Sequence, residues 1–293
     1  MKSKFLSAMT LRSFLAKNKY LRSAVKLSKG EIPLYIEYAI DFKPRWKDGN
    51  PHLEKVLSSY QENYKANLSA LSDLKPVVDY INDKSKCSLP IDWHNRMVPP
   101  IDAFTLMQAA LNAKTTYMEV GSGNSTMLVK AALDYHKKDT KIISIDPCPR
   151  EEIDKICDDV IRKPVEDIDF TIFDRLKAGD VLFIDNSHRS FMNSDVTVCM
   201  LEIIPRLRPG VLVGIHDIFL PYDYYESWSD RGYNEQYLLA SYLIANPNYF
   251  DIQMANHWIC RNGLQKEPLQ NIWNVLGNES REKSGSAFWG IKN

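Results

Sequence analysis

The chain has 293 residues, 44% hydrophobic and 25% charged, with 37 basic and 37 acidic side chains that cancel to a formal charge of zero. That length fits one large α/β domain with an appendage, or two modest domains, and the composition excludes global disorder. The neutral balance gives no field to gather polyanions, so nucleic acid is not expected as a partner.

Five scattered cysteines without a CxxC pair exclude a zinc knuckle or disulfide framework and point to a reduced, cytoplasmic setting. No apolar run approaches the roughly 20 residues needed to span a bilayer. The first thirty residues carry eight Lys or Arg and no acid, with Phe5, Met9, Leu15, Leu21 and Val25 at roughly helical spacing. This reads as a basic amphipathic helix, either packed on a domain or serving membrane-surface contact or targeting. Pro51 to Lys86 is helix-like, and Cys87 to Pro100 turns irregular around Pro90, Pro99 and Pro100. The domain boundary is placed there: a mainly helical extension over residues 1–98 and the principal domain over 99–293. Trp93-His94-Asn95-Arg96 either closes over a ligand or is a structural loop.

After the boundary, short apolar strands alternate with amphipathic stretches. Strands are expected at Thr116 to Val120, Lys141 to Asp146, Asp159 to Arg162, Val181 to Asp185, Val211 to His216 and Phe250 to Ala255, with a last strand over Ser286 to Ile291. A helix from about Asp195 to Arg206 ends at the turn Arg208-Pro209-Gly210. Residues Gly263 to Gly285 form an excursion with a short helix around Leu269 to Leu276. The expected fold is α/β: a doubly wound, mostly parallel sheet with helices on both faces and a C-terminal antiparallel hairpin.

In such sheets ligands bind outside the carboxyl ends of the strands. The first strand breaks into Glu119-Val-Gly121-Ser-Gly123-Asn124-Ser125-Thr126, a turn whose glycines let backbone amides approach a ligand and whose polar residues cap the next helix. The plainer reading is a structural strand-to-helix corner. Asp146 ends the second strand, 23 residues after Gly123, where an acid accepts hydrogen bonds from ribose hydroxyls. Thr126 stands where a dinucleotide fingerprint has its third glycine, which disfavours NAD, and Glu119 favours a cationic ligand over a pyrophosphate. Asp185 and His216-Asp217 end two further strands.

These residues resemble the class I S-adenosylmethionine-dependent methyltransferases, with Glu119 to Ser125 similar to their first motif and Asp146 to their ribose-binding acid. The resemblance covers about residues 100 to 293, and implies the Rossmann-like methyltransferase fold. Within that class, Phe183-Ile-Asp185-Asn-Ser-His188, Leu207-Arg-Pro-Gly210, His216-Asp217-Ile and Ser286-Ala-Phe-Trp289 are similar to the group containing metal-dependent sugar O-methyltransferases. By that resemblance S-adenosylmethionine is held by Glu119, Gly121, Gly123, Asn124, Ser125 and Asp146, with Val165 or Glu166 near adenine. The group's metal site implies Asp185, His216 and Asp217 as ligands, and the sequence departs from its pattern at His216, where the group has an acid.

Methyl transfer from a sulfonium is an in-line displacement, so an alcohol acceptor must lose its proton and be aligned. His188 is the candidate base, or else a structural or substrate-contacting residue. Asp185 and Asp217 either hold a divalent cation that chelates vicinal hydroxyls or cap local backbone. Carboxylates favour Mg2+ or Mn2+, and His216 as a ligand shifts the choice toward manganese, iron or zinc. Phe219 to Tyr237 is an aromatic-rich stretch that reads as a substrate lid, a self-packed loop or an oligomer contact, with Tyr222, Tyr224 and Asn234 as candidate substrate contacts and Glu235 beside them. The expected function is O-methylation of a small, sugar-like acceptor by a cytoplasmic enzyme that is monomeric or a homo-oligomer. The alternatives are an inactive cofactor-binding module and a metal-dependent hydrolase.

Overall fold

The computed structural model describes residues 41–93, 95, 97–276 and 284–293. The expected basic helix containing Phe5 to Val25, together with His94 and Arg96, lies outside the described residues. Three helices come first: α1 (Pro51–Ser58), α2 (Gln61–Leu71) and α3 (Lys75–Asn82). Asn50 caps α1 by accepting from the His52 and Leu53 amides, and Pro51 supplies the preset φ of a first helical residue. These helices bury Leu53, Leu57, Tyr64, Leu68, Val77 and Ile81 in the same apolar cluster that fills the sheet faces.

The remaining elements are α4 (Pro100–Asn112), β1 (Thr116–Val120), α5 (Asn124–His136), β2 (Lys141–Ile145), β3 (Asp159–Ile161), β4 (Val181–Ile184), β5 (Leu212–Ile215), α7 (Glu235–Ala245), β6 (Phe250–Ala255), α8 (Asn256–Arg261), α9 (Gln270–Leu276) and β7 (Phe288–Lys292). Between β4 and β5, a helical run labelled α6 comprises Asp195–Val198, a π segment Cys199–Ile203 and Ile204–Arg206. The sequence-based reading expects this helix without its π segment. Pro205 has no amide proton for an i→i−4 bond, and the Ile204 amide instead reaches back five residues to the Cys199 carbonyl.

The seven strands order as β3-β2-β1-β4-β5-β7-β6. All pairings among β1 to β5 are parallel, and β7 runs antiparallel between β5 and β6. This is the expected doubly wound, mostly parallel sheet with its C-terminal hairpin. Strand order reverses between β1 and β4, which opens the crevice where α/β sheets take ligands. β7 starts at Phe288 rather than Ser286, because the Ser286 and Ala287 amides donate to the carboxylate of Asp102 instead of joining the ladder. No described helix is long and apolar enough to cross a membrane.

The hairpin seats through one exchange of volume. Trp289 lies opposite Gly214 of β5, stacks on Phe183 of β4 at 5.4 Å and 15°, and donates its indole N–H to Thr105 of α4 at 3.1 Å. A Cβ on Gly214 would stand 2.4 Å from the Trp289 ring. Gly214→Ala is therefore expected to lower stability by about 1–3 kcal/mol, since overpacking forces the ring off its seat. Urea unfolding checks this, and an unchanged midpoint would show that Trp289 has room to yield.

Candidate active site

At the end of β1 the chain turns on Gly121 (φ 83°) and Gly123 (φ 148°). Gly121 meets a demand from the neighbouring strand as well as from any ligand: a Cβ there would lie 1.9 Å from the carbonyl oxygen of Asp185. Glu119 is fully buried beneath the turn. It accepts from the hydroxyls of Tyr117 at 3.0 Å, Ser125 at 3.1 Å, and Thr126. The Thr126 hydroxyl also accepts the Gly123 amide at 3.0 Å, so Thr126 couples the acid to the turn. Burial pushes the Glu119 carboxyl up to about 7, against three hydroxyl bonds that favour its charged form.

Three strand ends fix the other polar groups by their own amides: Asp146 to Ile161 O at 3.1 Å, Asp185 to Val120 O at 2.9 Å, and His216 to Ile184 O at 2.9 Å. A cavity of about 600 Å³ opens above these ends. Gly121, Ser122, Asp146, Val165 and Glu166 line one part of it, and Asp185, His188, His216 and Asp217 another. Asp146 accepts the Ser122 amide on one oxygen and the Cys148 amide on the other, both at 2.8 Å, which ties the turn to the β2 end. Glu166 Oε2 is buried without a protein partner, an acceptor that a ligand in the cavity would satisfy.

Several sequence-predicted residues stand back from this cavity. Glu119, Gly123, Asn124 and Ser125 are not in its lining, and neither are Tyr222, Tyr224 and Asn234. Asn234 instead accepts the Ser190 amide at 2.6 Å, the Tyr224 hydroxyl accepts the Gln236 amide at 3.2 Å, and Tyr222 packs edge-on against His257. From the aromatic stretch, the lining comes from Phe219, Tyr225, Trp228, Arg231 and Tyr233. These residues also pack on one another, with the Arg231 guanidinium 3.6 Å from the centre of the Trp228 ring.

The structure brings Asp185, His188, His216 and Asp217 together. His188 Nε2 lies 3.4 Å from Asp185 Oδ1 and 3.6 Å from Asp217 Oδ2, while His216 Nδ1 lies 3.3 Å from the same Asp185 oxygen and 3.8 Å from Asp217 Oδ1. Each ring turns its other nitrogen to a buried carboxylate: His188 Nδ1 to Glu235 at 2.9 Å, and His216 Nε2 to Asp102 at 3.4 Å. His188 and Asp217 both adopt left-handed backbone (φ 59° and 53°), which costs free energy in non-glycine residues and concentrates at functional sites.

Burial alone would push both imidazoles down. For His188 the hydrogen bonds to Asp185 and Glu235 prevail and raise it to about 10, and for His216 the charges of Asp185 and Asp217 raise it well above its ordinary value. Burial likewise opposes ionisation of Asp185, yet the neighbouring imidazoliums hold it well below the usual carboxylate range.

Sequence reasoning missed Asp102 altogether and took Glu235 for a substrate contact. Asp102 sits in the first turn of an almost wholly buried helix, and an acid at an apolar position was the only available signal.

Residues 118–218 match a family model described as a methyltransferase domain. This part of the chain is similar to methyltransferases. The matched span holds the glycine turn, Asp146 and all four members of the polar cluster, and it leaves Asp102 and Glu235 outside. No curated protein matches the chain.

The raised Glu119 makes stability depend on pH. Its contribution is fully present below about 4.5, the ordinary value, and is lost as pH rises through about 7, because the ionised carboxylate is disfavoured where it is buried. Relative to Glu119→Gln, the parent protein should lose roughly 2–3 kcal/mol between pH 4.5 and 8. Parallel urea titrations of both proteins at the two pH values check this, and equal slopes would contradict it.

Proposed function

We propose that the chain transfers a methyl group from S-adenosylmethionine to an oxygen of a small hydroxylated acceptor, with a saccharide or saccharide-bearing metabolite favoured. Residues 99–293 form the catalytic domain in this reading, residues 1–98 a helical extension, and the setting is the cytoplasm. The observation that carries it is the sharing of one cavity by the glycine turn with Asp146 and by the Asp185–His188–His216–Asp217 cluster.

In this reading Asp146 receives the ribose hydroxyls on lone pairs left over from its two amide bonds. Val165 and Glu166 flank the adenine, and Glu166 Oε2 gains the partner it lacks within the protein. Gly121, Gly123, Asn124 and Ser125 shape the turn around the amino-acid end, with Glu119 holding that turn from below. The sulfonium then faces the acidic side of the cavity, where the carboxylates of Asp185 and Asp217 offset its charge.

The acceptor lies between the polar cluster and the aromatic wall of Tyr225, Trp228 and Tyr233, whose faces suit a sugar ring and exclude water. The cluster takes the acceptor's proton as its oxygen aligns with the methyl group. Asp185, His188 and His216 each present a donor atom, all within 4.8 Å of one another, and Asp217 flanks them. This set fits a divalent cation, which when bound would lower the acceptor's pKa and fix the orientation of vicinal hydroxyls.

Calorimetric titration with S-adenosylhomocysteine tests the reading. One site per chain is expected, weakened at least about tenfold (~1.4 kcal/mol) in Asp146→Ala. Absence of binding both with and without divalent cations would overturn it. A screen of hydroxylated acceptors with methyl-labelled cofactor then reads turnover directly, and binding without transfer to any acceptor would favour the inactive-module alternative.

A further inference from the structure

The donor set disagrees with the hard-cation expectation in one respect, and the geometry shows why. Magnesium takes near-octahedral oxygen coordination and keeps several waters, whereas imidazole nitrogen suits first-row transition metals. Here two of the three converging donors are imidazoles, each almost fully buried, so no rearrangement of surface side chains converts the set to oxygen alone.

We propose that Asp185, His188 and His216 form a two-histidine, one-carboxylate centre for a transition-metal dication, with Mg2+ discriminated against. His188 is then a ligand rather than the free base that its position after Asp185 implies. The metal's use in catalysis rests on the methyl-transfer reading, but the existence of the site does not.

Three observations carry the assignment. Asp185 Oδ1 is the common point of approach, 3.4 Å from His188 Nε2 and 3.3 Å from His216 Nδ1. Behind each ring, on its opposite nitrogen, stands a carboxylate with almost no solvent exposure: Glu235 behind His188 and Asp102 behind His216. Metal-ligating histidines show this outer partnership, because a carboxylate accepting one ring N–H fixes the tautomer, aims the other nitrogen and raises its basicity.

The two outer carboxylates also come from separate places in the chain and are themselves fixed. Glu235 opens α7, whose start is held by the amide of Asn234 donating to the His188 carbonyl. Asp102 is gripped by the Ser286 and Ala287 amides and the Asn256 side chain. The His188 ring is thus oriented before any ligand arrives, and a fixed carboxylate stands 3.4 Å behind His216. Both inner nitrogens converge on one carboxylate oxygen at the cavity wall, the arrangement a bound cation would require.

Asp217 belongs to the centre as a neighbour rather than a third-row duplicate of Asp185. Its Oδ1 accepts the Ser286 hydroxyl at 3.2 Å, leaving Oδ2 directed toward His188.

The test uses tag-free, chelator-stripped full-length protein titrated with Co2+ and, separately, with Mg2+, followed by calorimetry and by visible absorption. Expected are one equivalent of Co2+, ligand-field bands shaped by nitrogen coordination, and binding at least about 100-fold tighter than that of Mg2+. His188→Ala should abolish those bands. Glu235→Gln, which keeps the side chain's shape, should weaken Co2+ by roughly 10–100-fold while circular dichroism stays native. His52→Ala, at an exposed position in the first turn of α1, should change nothing.

Equal affinity for Mg2+, no stoichiometric Co2+, or Co2+ bands unmoved in His188→Ala would each overturn the proposal. Titration of the same samples with S-adenosylhomocysteine separates the two readings. Cofactor-product binding without Co2+ binding sinks the metal centre alone, and Co2+ binding without it supports the centre while counting against methyl transfer.

Discussion

The buried carboxylate of Asp102 is the constraint on which the rest of the structure hangs. A carboxyl group with almost no solvent contact is tolerable only if its lone pairs are filled, and here they take the Ser286 and Ala287 amides and the Asn256 side-chain amide, with His216 Nε2 3.4 Å away. Those neighbours come from three different places, the lead-in to β7, the start of α8 and the end of β5, and Asp102 itself sits in the first turn of α4. One side chain thus joins the helix that precedes the parallel sheet to the hairpin that closes it. The same carboxylate stands 3.4 Å from His216 Nε2, so the seat of the hairpin and the surroundings of a cluster imidazole share one group.

The site built on that knot is expensive. It buries two imidazoles among several carboxylates and holds His188 and Asp217 in left-handed backbone. Such features persist only where the surroundings over-determine them. They are over-determined here by strand ends whose amides are locked to neighbouring strands, by Asn186 and Asn234 bonding the His188 backbone, and by an apolar cluster continuous from α1–α3 through both faces of the sheet. The stability that the polar site costs is offset by a core that contributes nothing to chemistry.

What was legible in the sequence follows from range. Short apolar runs and the glycine turn are local signals, so β1 and β6 agree with expectation to the residue, and the polar groups at the ends of β2, β4 and β5 were found because strand ends are where such sheets bind ligands. Asp102 and Glu235 act only after folding brings distant segments together, and nothing local marks either as a partner for histidine. The aromatic stretch was found, but not which of its rings face inward: Tyr222 and Tyr224 are turned to the protein while Tyr225, Trp228 and Tyr233 line the cavity. Loop side chains lack the periodicity that fixes orientation in a strand. Thr126, which by its identity argued against a dinucleotide, has a positive role that spacing could not reveal, as the link between Glu119 and the Gly123 amide.

The Gly121 contact gives the glycine turn a second meaning. A cradle for a ligand needs glycine so that backbone can approach the ligand, but Gly121 is also pressed against the carbonyl of Asp185, and the Asp185 amide in turn bonds Val120. The end of β1 that would hold the cofactor and the end of β4 that carries the acidic cluster are therefore held in a single register by direct backbone contact. In-line displacement is sensitive to the distance between donor and acceptor atoms on the scale of an ångström. A side chain at position 121 would wedge the two strand ends apart and shift the glycine turn relative to the cluster even if both stayed intact. The glycine thus sets the spacing between two half-sites as well as the shape of one of them.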